Sequence, residues 1–152
     1  MARPQATRWQ PVHGILAAFP LALFVATLVS DIAYARSANI QWANFSVWLI
    51  AGGVMMGVLA ALFGIVDAVA HRRQRRRSEH VRDRTQSPDR VHRILTIVTL
   101  VFAIINGFIH SRDGWTAVVP TGLILSAITA VLIVVVSWLG YAALGRHEGE
   151  VR

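Results

Sequence analysis

Four long apolar runs, residues 14–30, 45–66, 94–109 and 114–145, carry no charged residue, and polar clusters separate them. The hydrophobic positions are grouped in blocks rather than spaced at the intervals that build a soluble core. Crossing a ~30 Å hydrocarbon layer takes about 20 predominantly apolar residues in a helix. The pattern therefore predicts an all-α fold: an integral membrane four-helix bundle with spans at about 12–34, 45–70, 92–110 and 116–144. Little chain is left for a second domain. Ala33, Tyr34 and Ala35 look like a signal-peptidase site, but the run before them is long and is interrupted by Pro20 and Asp31. The first segment is read as a span that stays. Pro120, near one end of the fourth run, predicts an irregular first turn there.

Composition agrees with the pattern: 55% of residues are hydrophobic and 15% charged, against about a quarter charged in soluble domains. Charge placement adds orientation. All 15 basic residues are arginine. Nine lie between residues 70 and 93 and four in the two tails, so four spans put 13 on one side and only Arg36 and Arg112 on the other. The positive-inside bias then predicts both termini and the 71–91 loop in the cytoplasm of a bacterial inner membrane. The loop resembles a nucleic-acid patch, but attraction to anionic headgroups explains it more economically. No nucleic-acid partner is expected.

Trp9, Trp42, Trp48, Trp115 and Trp138 fall near predicted interfaces, where amphipathic rings settle. Gly53, Gly57 and Ala61, spaced by four, predict a close helix–helix contact. The absence of cysteine excludes disulfides, thiolate catalysis, iron–sulfur clusters and covalently attached haem.

Polar groups inside the spans carry the candidate chemistry. His13 and Asp31 are eighteen residues apart, which is five whole helical turns, so they share a face. Pro20 and Thr27 lie on it too. His92 and His110 are also eighteen apart, with Thr96, Thr99 and Asn106 near the same line. Asp67 and His71, four apart, sit above Gly64 and Ala60. Ionisable groups facing lipid cost about 2.5–3.5 kcal/mol even on insertion scales, so these stripes should face the interior. The topology places His13, Asp67, His71 and His92 near the cytoplasmic end, and Asp31, Asn106 and His110 near the outer end.

Three readings of the cytoplasmic cluster stand open. In the first it is structural and sets helix register, as in a small membrane subunit or anchor. In the second His13 and His92 ligate a b-type haem, with Asp67 orienting a ring and His71 close by, as in an electron-transfer subunit with a redox partner. In the third, Asp31, Asp67 and the histidines handle protons or ions. No hydrolase, metalloprotease or phosphate-binding motif is present, so no catalytic residue and no further metal site is assigned. Contact with the bilayer is expected, and a homo-oligomer is compatible with the chain.

The residues also resemble a family. His13, Gly14, Phe19, Pro20 and Asp31 in the first span are similar to the leading helix of the bacterial membrane proteins grouped as domain of unknown function 2231. Gly64 and Asp67 match its glycine-rich second helix. His92, Asn106 and Arg112 match the third, and Ser137 to Gly145 resemble its closing segment. Gly14 stands where many members have proline, and the closing segment has Tyr141 rather than a second glycine directly after Gly140 and lacks the basic and histidine residues often found there. The resemblance implies a four-span inner-membrane protein, marks His13, Asp67 and His92 as family features, and implies no activity.

Overall fold

A computed structural model describes the backbone of residues 10–75, 88–112 and 118–149, and the side chains of those stretches except 10–13, 67–68, 70–75, 88–89 and 143–149. Four α-helices fill it: α1 (Gln10–Ser37), α2 (Ile40–Arg75), α3 (Pro88–His110) and α4 (Leu123–Gly149). Membrane-length apolar stretches run over Gly14–Ser37, Ile40–Val66, Arg90–His110 and Val118–Ala142, which are 24, 27, 21 and 25 residues long. Each suffices to cross a bilayer. α1 packs on α2 and α4, and α3 packs on α2 and α4, so the helices follow one another around a ring. The α2 helix continues unbroken past its apolar stretch through Arg72, Arg73 and Arg75.

The links between helices follow from local chemistry. α1 ends where Ala38 takes φ 51° and its N–H donates to the Tyr34 carbonyl at 2.8 Å. That left-handed residue reverses the chain. Asn39 then caps α2, its Oδ1 accepting from the Gln41 N–H at 3.0 Å. Before α4, residues Val118–Gly122 form a wide turn in which Val119 is extended (φ −118°, ψ 128°). Proline disfavours helical backbone in the residue before it, so the extension belongs to Val119 preceding Pro120. The irregular first turn expected at Pro120 is present.

The interior is close-packed and unusually polar. On α2 the buried positions are Ala43, Ser46, Ile50, Gly53, Gly57 and Ala60, alternating three and four residues apart. This spacing averages 3.5 and keeps one seam against the neighbours. It corrects one sequence expectation: Ala60, not Ala61, continues the glycine face, because strict steps of four drift around the helix. Ala61 is half-buried. A Cβ on Gly53 would stand 2.4 Å from the Phe24 ring of α1, and one on Gly57 would stand 2.7 Å from Leu100 of α3. Phe24, Ala103 and Ile133 form an apolar layer there, with Leu21 and Val54 packed beside it. A second layer of Tyr34, Ala43 and Val118 closes the far end.

Buried polar side chains lie between and around these layers, while Trp48, Phe108, Trp138, Ile97 and Val131 are exposed. This inverts the soluble arrangement and suits a hydrocarbon solvent. Thr27, Thr99 and Thr129 meet the interior by donating to the carbonyls of Leu23, Leu95 and Leu125, each one turn back.

Two substitutions test this packing by detergent or SDS unfolding. Gly53→Ala should cost about 1–3 kcal/mol through overpacking against Phe24. Gly14→Ala, with nothing near its added methyl, should cost nothing beyond scatter. Ala38→Gly should stabilise by about 1 kcal/mol, because only glycine adopts that backbone without strain.

Candidate functional site

Thr27, Ser30, Asp31 and Tyr34 follow one another down the buried face of α1, so the helix period turns Asp31 inward. Its side chain is fully buried, and an isolated carboxylate there would be very costly. It is not isolated. Ser46 on α2 donates its hydroxyl to Asp31 Oδ1 at 2.5 Å. Ser126 on α4 donates to Oδ2 at 2.5 Å. His110, the last residue of α3, brings Nε2 to 3.1 Å from Oδ1. One carboxylate thus receives a partner from each of the other three helices.

A further set of bonds holds the partners. Asn106 Nδ2 donates to Ser126 Oγ at 2.8 Å. His110 Nδ1 lies 3.0 Å from the backbone carbonyl of Asn106. A carbonyl only accepts, so Nδ1 carries a hydrogen and Nε2 is the nitrogen facing Asp31. Two lone pairs cannot face each other across 3.1 Å, so a proton also lies between Nε2 and Oδ1. The pair is then either imidazolium with carboxylate or imidazole with carboxylic acid, and is electrically neutral in both. Asn106 Oδ1 is buried and has no hydrogen-bond partner.

The arrangement limits the chemistry. Both serines donate to the carboxylate and not to the imidazole, so no Ser–His nucleophile pair forms here. Among the described residues no three His, Cys, Asp or Glu side chains are placed to hold a metal ion. Asp31 and His110 form a hydrogen-bonded pair suited to holding a proton and to binding helices together.

The sequence placed Asp31, Asn106 and His110 at the same end of the molecule, and the structure brings all three into one network. Ser46 and Ser126 were not singled out. Their signal was position: Ser46 lies on the small-residue seam of α2, and Ser126 lies one turn before Thr129 on α4. The cytoplasmic cluster fares differently. The side chains of His13, Asp67 and His71 lie outside the described residues. His92 is half-buried on α3, and its ring edge is 3.4 Å from where a Cβ on Gly140 of α4 would stand. Thr96, one turn on, donates to the His92 carbonyl at 2.8 Å.

The family model described as predicted membrane protein (DUF2231) matches residues 9–152. No curated protein matches, and no solved structure matches.

Breaking the network should be costly. Asp31→Ala leaves Ser46, Ser126 and His110 without their shared partner and should lower stability by about 3–5 kcal/mol. Ser126→Ala should cost about 1–3 kcal/mol. Asp31→Ala combined with His110→Ala should cost clearly less than the two losses added, because each removes the same interaction. Unfolding in mixed detergent and SDS measures all of these.

Proposed function

The chain belongs to the DUF2231 family of predicted membrane proteins, and from that premise we propose that it is a small structural subunit, or anchor, of the bacterial cytoplasmic membrane. Both ends face the cytoplasm in this reading. The observation that carries it is the division of polarity in the bundle. The buried polar groups around Asp31 are bonded mainly to one another, and among the described residues the surface between the two ends is mainly apolar, including Trp48, Phe108, Trp138 and Tyr141. Such a body offers lipid or another membrane protein a continuous apolar wall. Two recesses on the described surface are open ones, lined by Gln41, Asn44, Phe45 and Trp48, and by Ala127, Ile128, Val131 and Leu132. Neither gathers ionisable side chains, which supports an assembly role over turnover of a small substrate.

The arginines supply the second half of the reading. Arg90 and Arg93 are exposed at the start of α3, close in sequence to the arginine run that ends α2. Anionic headgroups attract each such residue by about 1 kcal/mol. That attraction would hold this end of the bundle at the cytoplasmic leaflet and leave room for a partner at the apolar flanks.

The natural absence of cysteine makes orientation easy to measure. Asn39→Cys and Ser111→Cys should react with a membrane-impermeant maleimide on intact cells, and Arg90→Cys only after permeabilisation. The reverse pattern would invert the topology. Mild-detergent purification from native membranes should yield the protein with a second membrane protein in fixed ratio. A protein that is always recovered alone would remove the subunit reading.

A further inference from the structure

The hydrogen-bond chain from Asn106 through Ser126 to Asp31 can be written in two directions. As the side chains stand, the Asn106 amide donates to Ser126, and Ser126 donates to Asp31 Oδ2. A hydroxyl donates one hydrogen and accepts others, and an amide side chain presents a donor and an acceptor at nearly equivalent positions. If Asp31 Oδ2 gains a proton, it can donate to Ser126. Ser126 can then turn its own hydrogen to Asn106, whose amide rotates by half a turn to present Oδ1. The number of hydrogen bonds along the chain is unchanged. The buried, unpartnered Asn106 Oδ1 is the acceptor that this second order requires.

We propose that Asp31, Ser126, Asn106 and His110 form a proton-binding site inside the membrane that takes up one proton beyond the one held between Asp31 and His110. The added proton comes from a hydronium ion at the nearby aqueous face. It bonds to Oδ2 of the carboxylate–imidazolium form of the pair and leaves water behind; the proton shared with His110 stays on Nε2, so no other covalent bond changes. His110 and Ser46 continue to hold Oδ1 throughout. The network gains one positive charge, so uptake is also a change in the electrostatics of the bundle.

Position favours exchange with one face. Asp31 lies six residues from the end of α1, about 9 Å along the helix axis. His110 ends α3, and the next residues, Ser111 and Arg112, are exposed. The layer of Tyr34, Ala43 and Val118 separates the carboxylate from that face, and Val118 belongs to the irregular Val118–Gly122 turn.

Few charged groups compete among the described residues. On α1 the ionisable neighbours are Tyr34, one turn on, and the exposed Arg36. α2 presents Ser46 and no ionisable group at this level. α3 presents His110, with exposed Arg112 beyond it. α4 presents Ser126 and Thr129, neither ionisable.

Infrared difference spectroscopy of the full protein in lipid nanodiscs tests the site, comparing neutral and acidified samples. A carboxylic acid C=O band should grow on acidification and vanish in Asp31→Asn. It should be lost or strongly weakened in Ser126→Ala and in Asn106→Leu, and survive in Ser46→Ala. Circular dichroism confirms that each variant keeps its helices. The wild type supplies an independent measurement. With 15N-labelled asparagine side chains, the Asn106 amide resonances should change over the same acidification, because the amide turns. Absence of an Asp31 band in helical protein would overturn the proposal. So would a band of equal size in Ser126→Ala and Asn106→Leu, or an Asn106 amide that stays unchanged while Asp31 is protonated.

Discussion

A carboxyl group placed among apolar side chains has to be met by hydrogen-bonding partners, and the bundle is arranged so that Asp31 meets three. They come from α2, α3 and α4, so the need of one side chain fixes the relative positions of four helices. Van der Waals contact alone leaves rotations and sliding of apolar helices in lipid loosely specified, because hydrocarbon offers almost the same contacts as a neighbour. A charged or acid group that must reach Ser46, Ser126 and His110 together removes that freedom. The glycine seam of α2 then brings the backbones close enough for such short side chains to meet. Gly53 yields to Phe24 and Gly57 to Leu100, about two and three turns along α2 from Ser46.

The two apolar layers gain meaning from this centre. Phe24, Ala103 and Ile133 lie on one side of the network, and Tyr34, Ala43 and Val118 on the other. They keep water from competing for the donors, and a low local dielectric strengthens each bond. The same exclusion makes any unpaired polar atom costly, which is why Asn106 Oδ1, beside the network, stands out. The outer surface obeys the complementary rule. It presents side chains that lipid solvates well, and helical backbone satisfies its own N–H and C=O groups, as hydrocarbon requires.

Much of this was open to inspection in the chain itself. The apolar runs announced the four helices, because lipid demands length and internal hydrogen bonding before it demands anything else. The eighteen-residue spacings correctly turned Pro20, Thr27 and Asp31 inward on α1, and Thr99, Asn106 and His110 inward on α3. Pairing was harder. Ser46 and Ser126 stand 15 and 95 residues from Asp31, and a lone serine in a greasy helix is commonly satisfied by its own backbone. Nothing local distinguishes one that crosses to a carboxylate. The end richer in imidazoles, around His13, Asp67, His71 and His92, carries the louder signal in the sequence. Yet the shared depth of Asp31, Asn106 and His110 already contained the contact, since a carboxylate and an imidazole at the same level of a narrow bundle satisfy each other more cheaply than they satisfy lipid.

The bond between Asp31 and His110 is the element on which the rest turns, and nuclear magnetic resonance of 15N-histidine-labelled protein in lipid reads it directly. His110 should show a hydrogen on Nδ1 that exchanges slowly with deuterium. Its Nε2 resonance should move strongly when Asp31 is replaced by asparagine. A His110 ring that exchanges quickly with solvent, and whose nitrogens are indifferent to Asp31→Asn, would contradict the account.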